Sequence, residues 1–337
     1  MNRYGEFYID LGTTNTLIYT KLSGLQFNES TVMTVKQTSG KEPEYTAFGN
    51  ESKSNIGKMP ECMRLLKPLR EGVVTDFKSA NKFLNYFMKK ITKVNPLEKS
   101  RLVISLPLHI TQHERALIKD LGESLGARRV DLLCEPLAAA MGAGLDILES
   151  RGNMVVDLGG GTSEAAVVSL GGVVNSNARR VGGSNIDESI VEHLKATHHF
   201  VIGEQTAENL KMKIGSLQLS VKNVSVDVGG INLKTAMPRK LNISSEMIYQ
   251  PLNAFYCETL NLINKTFQEC PPELAGDIAE RGIVLVGGSS LISGFAERIT
   301  KDTGVKARLS ESPLLSVSLG GTKILNDLSL FNKLQFI

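Results

Sequence analysis

Residues 154–168 have the sequence MVVDLGGGTSEAAVV, and this stretch decides the fold of the chain. Strand-forming residues on both sides of a glycine and threonine cluster predict a strand, a tight turn and a second strand. Residues 7–19, with the sequence FYIDLGTTNTLIY, repeat the same order of apolar run, aspartate, small polar turn and apolar run. Two hairpins of one design predict a duplicated chain, in which one hairpin opens each half.

The turns of both hairpins have the chemistry of a phosphate site. Glycines and threonines at a turn present backbone N–H groups and hydroxyls towards one point, which suits an anion. Asp10 and Asp157 stand just before the two turns, where a carboxylate would repel a bare phosphate. A divalent cation held through its water shell by both aspartates removes this conflict. One such turn alone is more often an ordinary hairpin, but the repeat predicts a nucleoside triphosphate with Mg²⁺ gripped between two domains.

The rest of the chain alternates between helical and strand patterns. Apolar periodicity and end signals predict helices over residues 77–91, 111–125, 187–195, 206–214, 247–267 and 292–303, and another that starts at Pro136. Apolar runs predict strands over residues 102–106, 130–133 and 283–286. Between residues 217 and 241 the pattern alternates, with Gly229 and Gly230 as a predicted hairpin turn. This order predicts α/β layers with sheets covered on both faces.

A third small-residue turn, Gly287-Gly288-Ser289-Ser290, follows the strand at 283–286. Small residues there let a nucleoside approach the backbone at the start of a helix, although many strand–helix turns contain glycine. Two other nucleotide motifs are excluded. Gly57-Lys58 is followed by Met59 and lacks the upstream glycine of a P-loop, and no G-x-G-x-x-G follows the first strand.

Composition bounds the class of protein. The chain has 337 residues, enough for two domains, and 42% of them are hydrophobic and 22% charged, as in soluble globular proteins. A formal net charge of +3 on a chain of this length does not indicate a nucleic-acid partner. The scattered cysteines suggest neither a zinc site nor a disulfide framework. Residues 1–6 are short and polar and lead at once into an apolar strand, so we expect no secretory signal and a cytoplasmic protein.

The three turn motifs, IDLGTTNT at 9–16, VVDLGGGTSE at 155–164 and VLVGGSSL at 284–291, resemble those of the actin, sugar-kinase and heat-shock chaperone superfamily. Similarity to the MreB family is closer and covers nearly the whole chain, through further stretches at 68–77, 135–142, 202–208, 238–241 and 271–274. The resemblance implies an actin-like ATPase fold of two duplicated α/β domains with ATP and Mg²⁺ in the cleft between them. The domains would be 1–149 plus 315–337 and 150–314, with small subdomain inserts at 31–69 and 187–247.

The resemblance also implies roles for individual residues. Glu135 matches the residue that orients or activates the attacking water, Thr162 would help to hold that water, and Asp10 and Asp157 would act on Mg²⁺ through water. Phosphate contacts are implied for Gly12, Thr13, Thr14, Asn15, Gly159, Gly160, Gly161 and Thr162. Nucleoside contacts are implied for Glu208, Asn209, Lys211, Gly287, Gly288, Ser289 and Ser290. Without the resemblance, Glu135 would be simply a carboxylate favoured by the dipole at a helix N-terminus.

Some positions depart from the family pattern. Cys134 replaces a glutamate before the Glu135–Pro136 pair, Ser289 replaces the third glycine of the last turn, and Asn209 and Lys213 replace an arginine and a glutamate. None of these removes a reacting group, so they bear on nucleotide affinity or turnover.

The implied function is an ATP-hydrolysing bacterial actin that polymerises with itself and scaffolds cell-wall synthesis and rod shape. Its further partners would be membrane proteins of cell-wall elongation and the inner membrane as a peripheral contact. The loop that contacts the membrane in this family has one leucine, Leu97, in residues 94–99, too little apolar surface to anchor a monomer. The apolar tail at 330–337 is expected to dock on its own domain. A filament for organelle or plasmid positioning and a small-molecule kinase are the alternatives.

Overall fold

The computed structural model describes residues 5–40, 42–91, 100–218 and 224–335. Two five-stranded sheets form its centre, and each is built around one of the two hairpins. Residues of the central strands are buried almost without interruption, as expected for sheets that carry helices on both faces.

The strands in the described ranges are β1 (Glu6–Leu11), β2 (Asn15–Thr20), β3 (Gly24–Ser30), β4 (Met33–Lys36), β5 (Glu44–Phe48), β6 (Met63–Leu66), β7 (Leu69–Arg70), β8 (Val73–Val74), β9 (Arg101–Leu106), β10 (Arg129–Cys134), β11 (Asn153–Leu158), β12 (Ser163–Ser169), β13 (Gly172–Arg179), β14 (Phe200–Val201), β15 (Ser225–Asn232), β16 (Met237–Ser244), β17 (Ile283–Val286) and β18 (Ala307–Leu309). The α-helices are α1 (Asn50–Ser54), α2 (Phe77–Ile91), α3 (Gln112–Ser124), α4 (Glu135–Gly142), α5 (Gly183–His198), α6 (Glu204–Ile214), α7 (Tyr249–Gln268), α8 (Pro272–Arg281), α9 (Phe295–Thr303), α10 (Ser316–Asn326) and α11 (Leu328–Lys333).

The two large sheets share one topology. Their strand orders are β10-β9-β1-β2-β3 and β18-β17-β11-β12-β13. Each sheet has an antiparallel meander of three strands, and beyond the first strand of the meander it continues with two more strands that run parallel to that strand. The predicted duplication of the fold is therefore confirmed. The register places Asp10 opposite Leu17 in the first hairpin and Asp157 opposite Glu164 in the second.

Three apolar cores separate the layers. Helices α2 and α3 cover the outer face of the first sheet, and α5, α7 and α9 cover the outer face of the second. Between the sheets lie α4 and α10, which pack with core residues from both sheets. These two helices touch at glycines, because a Cβ on Gly320 would stand 1.9 Å from the carbonyl oxygen of Ala138. A Cβ on Gly142 would likewise stand 1.7 Å from the carbonyl oxygen of Ser316.

A small antiparallel sheet is added to each half. The sheet β5-β4-β6 and helix α1 fall within the predicted insert 31–69, and the sheet β14-β15-β16 and helix α6 fall within the predicted insert 187–247. The bounds of the two domains stay a prediction. The C-terminal tail docks on the chain as expected, since Phe331 and Leu334 are buried in the core between the sheets.

Most predicted elements are confirmed, with small shifts at their ends. The amphipathic helix over 77–91 is α2, and Thr111 caps α3 with a capping box, its side chain accepting from the N–H of Glu114 at 3.1 Å. The helix expected at 292–303 begins only at Phe295, because Gly294 has a left-handed backbone (φ 80°). The membrane-loop residues 94–99 and the last residues of the tail, 336–337, lie outside the described residues.

One predicted turn is wrong. Gly229 and Gly230 lie inside β15, and the hairpin turn follows Asn232, whose side-chain oxygen accepts from the N–H of Lys234 at 2.9 Å. Gly230 is required by packing and not by the turn, because a Cβ at this position would stand 2.6 Å from the ring of Phe200. Glycines in a strand-like stretch can therefore indicate either a turn or the close approach of another element to the strand.

Candidate functional site

The turns of the two hairpins face each other across the gap between the halves of the molecule. In each turn the first glycine donates its N–H back across the loop, Gly12 to the carbonyl of Asn15 at 3.1 Å and Gly159 to the carbonyl of Thr162 at 2.9 Å. A Cβ on Gly160 would stand 1.8 Å from Thr14 Oγ1, so this turn requires glycine where it meets the other. The predicted phosphate residues of both halves are thus brought together.

Neighbouring elements hold each turn in shape. Thr31 donates its hydroxyl to the carbonyl of Gly12 at 2.7 Å and its N–H to the carbonyl of Thr14 at 2.8 Å. Gly72 donates its N–H to Thr13 Oγ1 at 2.8 Å. The second turn is tied to the start of α5, where Gly183 donates its N–H to the carbonyl of Gly159 at 3.0 Å. In all of these bonds the turns act as acceptors, through carbonyl oxygens and one threonine hydroxyl.

The backbone donors at the turn tips remain for a ligand. Within the described ranges, no protein acceptor takes the N–H groups of Thr13, Thr14, Gly160 or Gly161. Facing turns with such donors form the concave nest that binds anions. The geometry therefore fits a phosphate chain lying between the two hairpins.

Carboxylates converge beside the turns. The carboxylate of Asp10 accepts from Ser105 Oγ at 3.1 Å and from Ser318 Oγ at 2.6 Å, which fixes its orientation from β9 and α10. Burial raises the pKa of Asp10, and these two hydroxyls only partly offset that effect. Burial and the charge of Asp10 together raise the pKa of Asp157 to about 7. The charge of Asp10 thus acts on Asp157 from the other half of the molecule.

Glu135 is the first residue of α4 and points into the same group of acids. Burial, followed by the charges of Glu164, Asp10 and Asp157, raises the pKa of Glu135 well above its ordinary range. Asp10, Asp157, Glu135 and Glu164 are thus buried acids whose pKa values are raised by burial and, for all but Asp10, by one another's charges, so that protons or a cation would stabilise them. Among the described residues no set of three or more His, Cys, Asp and Glu side chains could hold a metal ion directly.

Glu164 is the member of this group that sequence reasoning missed. Its side chain is 3% exposed and accepts from the N–H of Leu108 at 3.1 Å and of His109 at 3.5 Å, so it reaches from β12 in the second half to the chain after β9 in the first. Burial and the charge of Asp157 raise the pKa of Glu164 to about 8. The equivalent position of the first hairpin is Leu17. A glutamate in the otherwise uncharged strand SEAAVVS was the signal that could have found it.

Helix α6 brings two of its three predicted nucleoside residues to the cleft. Lys211 donates to the carbonyl of Gly183 at 2.7 Å and to the carboxylate of Asp187 at 2.9 Å. Glu208 accepts from Lys53 at 2.9 Å. Asn209 is on another side of the helix, where it is exposed and lines a cavity of about 220 Å³ with residues of β15. The structure therefore does not bring Asn209 to the other candidate residues.

The turn after β17 lies against the second phosphate turn. Gly287 has φ 80°, and a Cβ there would stand 2.5 Å from Asp157 Oδ1. The hydroxyl of Ser289 donates to the carbonyl of Gly159 at 3.3 Å, and that of Ser290 donates to the carbonyl of Gly287 at 2.6 Å. Ser289, which replaces the family's third glycine, thus ties the two turns together. Gly288 at the tip is exposed and stays available to a ligand.

The model of the family described as MreB/Mbl protein matches residues 4–333. The chain belongs to the MreB/Mbl family. It is 38% identical over 322 residues to the cell shape-determining protein MreB of Escherichia coli strain K12, covering 95% of this chain and 93% of that protein. It is 32% identical over 320 residues to the cell shape-determining protein Mbl of Bacillus subtilis strain 168, covering 95% of each.

Solved structures agree with the family. The crystal structure of Spiroplasma citri MreB5 bound to AMPPNP is similar with a TM-score of 0.93 and 29% identity, covering 98% of both chains. A structure described as the MamK double helical filament is similar with a TM-score of 0.80 over 96% of this chain and 99% of that one, and at 17% identity it shows the shared fold. The predicted actin-like fold of this MreB/Mbl protein is confirmed.

Replacing Glu164 by glutamine should flatten the pH dependence of stability. An unfolded glutamate has a pKa of about 4.3, and that of folded Glu164 is about 8. Between these values the folded state holds a proton that the unfolded state has lost, so stability is full below about pH 4 and is lost as the pH rises to about 8. Glutamine keeps an oxygen for the N–H of Leu108 without the titration. We expect Glu164→Gln to be more stable than the wild type at pH 8, by an amount on the order of a few kcal/mol, since one unit of pKa difference is worth about 1.4 kcal/mol.

Thermal unfolding of both proteins without nucleotide, from pH 5 to 8.5, measures this effect. A steep fall in Tm for the wild type and a shallower one for Glu164→Gln is the expected pair of curves. Parallel curves would show that Glu164 does not hold the proton.

Proposed function

We propose that this MreB/Mbl protein binds ATP with Mg²⁺ between its two halves, hydrolyses it, and polymerises into cytoskeletal filaments. The observation that carries the proposal is the meeting of two duplicated glycine–threonine turns with Asp10, Asp157 and Glu135 between the two sheets. The Spiroplasma citri MreB5 structures described as bound to AMPPNP and to ADP support a nucleotide as the ligand.

The two turns would bind the phosphates through backbone N–H groups, those of Thr13 and Thr14 from one side and Gly160 and Gly161 from the other. Asp10 and Asp157 would hold Mg²⁺ through its water shell, with Asp10 kept in place by Ser105 and Ser318. Bound Mg²⁺ would neutralise charge on the phosphates. The turn at Gly287 would lie along the nucleoside, opposite Glu208 and Lys211.

Glu135 would orient the attacking water and accept its proton, and the hydroxyl of Thr162 would hold the same water. Its raised pKa suits this role, because a carboxylate with a higher pKa is a stronger base once it is ionised. Glu164 lies beside it, bound to the backbone of the other half, and would keep that wall of the site closed to solvent.

The filament would serve cell shape, by scaffolding membrane proteins of cell-wall elongation. The relatives named cell shape-determining MreB and Mbl favour this role over organelle or plasmid positioning. A small-molecule kinase would need larger inserts to enclose an acceptor than the three-stranded ones present. No helix in the described part of the chain is long and apolar enough to cross a membrane. We propose that the inner membrane is contacted peripherally, by weak contacts repeated along the filament.

Sedimentation and negative-stain imaging of the purified protein with ATP, ADP or no nucleotide test the proposal. ATP should give filaments in the pellet, with less polymer under ADP. A protein that binds ATP but stays monomeric at all concentrations would contradict the filament role. In that case small-molecule phosphate acceptors would be the next substrates to screen.

A further inference from the structure

Two ion pairs join the insert of the first half to the insert of the second. Lys53 Nζ, on α1, lies 2.8 Å from Glu208 Oε2, and Lys67 Nζ, just before β7, lies 3.1 Å from Glu204 Oε2. Both glutamates are on α6, four residues apart and so on one face of the helix. One helix of the second insert is thus held at two points by lysines of the first.

The inner pair is the more shielded of the two. The side chains of Lys53 and Glu208 are 29% and 20% exposed, whereas Glu204 in the outer pair is 58% exposed. Gln205 also donates to Glu208, at 2.6 Å, so each oxygen of this carboxylate has a protein donor. Burial would raise the pKa of Glu208, but the bond and charge of Lys53 and the bond of Gln205 outweigh it and hold that pKa below its ordinary value.

The helix that carries both glutamates borders the candidate nucleotide cleft. Lys211, three residues beyond Glu208, bonds to the carbonyl of Gly183, whose own Cβ position is 3.0 Å from the hydroxyl of Ser289. This face of α6 therefore lies next to the turns that form the nucleoside side of the site. A contact from Lys53 and Lys67 to this helix spans the cleft from one insert to the other.

We propose that Lys53 and Lys67 are positioning residues that hold the two inserts together across the cleft and so control the escape of bound nucleotide. This role rests on the proposed nucleotide site. The inner pair holds the carboxylate of Glu208 at the nucleoside side of the candidate site, and the outer pair keeps the helix of the second insert close to the first. Nucleotide leaves when both pairs have separated, because α1 and α6 must move apart to open the cleft.

A charge swap at the outer pair tests this, because neither Lys67 nor Glu204 belongs to the candidate site itself. The measurement is the dissociation rate of a fluorescent ADP analogue after addition of excess ATP. We expect Lys67→Glu and Glu204→Lys each to raise that rate about two- to fivefold, as a partly exposed pair allows. The double variant should return to within about twofold of the wild type. Lys53→Met should add a further several-fold increase.

Lys195→Glu is the matched control. Its partner Glu192 lies on the same helix, α5, at 3.1 Å, so this reversal breaks an ion pair without touching the contact between inserts. The rate for this control should equal that of the wild type. Unchanged rates in both single variants, or a double variant no slower than the faster single variant, would overturn the proposal.

A second measurement needs no nucleotide and separates the two proposals. Cys62, in the first insert, and Cys257, on α7, are exposed and can carry spin labels, with Cys270 replaced by serine. Cys134 is also only partly buried and is replaced by serine in the same way. The distance between the labels should be longer or more broadly distributed in Lys67→Glu and should recover in the charge swap. If this distance changes in Lys67→Glu but the wild type binds no nucleotide analogue, the contact between the inserts exists and the proposed function fails. If the distance is the same in Lys67→Glu and the wild type, the proposed contact is overturned.

Discussion

Replacing Glu135 by alanine should lower the rate of ATP hydrolysis by about 10²–10⁴-fold and leave ATP binding within a few-fold of the wild type. The reason is that Glu135 stands at the start of α4 with a pKa raised by burial and by Glu164, Asp10 and Asp157, beside the phosphate turns but outside them. Removing the carboxylate would take away the proposed proton acceptor and leave the proposed phosphate-binding N–H groups in place. Filaments of the variant should therefore assemble with ATP and persist longer.

Phosphate release and the affinity for ATP, measured in parallel, check this prediction. Glu273→Ala is the matched control, because Glu273 is also an acidic residue in the first turn of a helix but is exposed on α8. It should hydrolyse ATP at the wild-type rate. Equal loss of binding and hydrolysis in Glu135→Ala would instead assign Glu135 to the binding of the nucleotide or the folding of the cleft.

Replacing Gly320 by alanine should destabilise the protein by about 3 kcal/mol or more. A Cβ at this position of α10 would stand 1.9 Å from the carbonyl oxygen of Ala138, which is backbone and cannot rotate away. The two helices between the sheets must then separate, and the core that both halves share must loosen with them. Gly142→Ala should have a similar effect, since its Cβ would meet the carbonyl oxygen of Ser316.

Gly276→Ala is the control for this pair of helices. Gly276 lies in the middle of α8 and has no atom within 4 Å of its Cβ position. Alanine there should stabilise the protein by about 0.5–1 kcal/mol, because it favours the helix without a clash. The free energy of unfolding in urea, measured for the three variants, checks both the expected losses of stability and the expected gain. A Gly320→Ala protein as stable as Gly276→Ala would contradict the close crossing of α4 and α10.

The fold was largely predictable because its main features are local patterns in the sequence. Each hairpin is a contiguous apolar–small–apolar stretch, and the helix at 77–91 repeats its apolar residues at helical spacing. The misplaced turn at Gly229 and Gly230 had a cause distant in sequence, since the glycine is required by packing against Phe200. A local sequence pattern predicts which secondary structure a segment can form, but not which distant residue packs against it.

The same limit applies to the candidate site. The turns and their aspartates follow from the motifs, but the place of Glu164 depends on N–H groups after β9, more than fifty residues away. Lys53 and Lys67 carried no local signal, because any exposed lysine would look alike in the sequence. The resemblance implied Asn209 as a nucleoside contact together with Glu208, yet one step along a helix turns a side chain by about 100°. That rotation places it on β15 instead of the cleft.

The most direct test of the central claim is phosphate release measured together with the amount of sedimented polymer, as the protein concentration is raised in the presence of MgATP. If ATP hydrolysis belongs to an assembling filament, phosphate release per molecule should be low until polymer appears and should then rise with the polymer mass. Glu135→Ala should form polymer over the same concentration range with little phosphate release. Phosphate release that is strictly proportional to protein concentration, with no polymer in the pellet, would contradict the account.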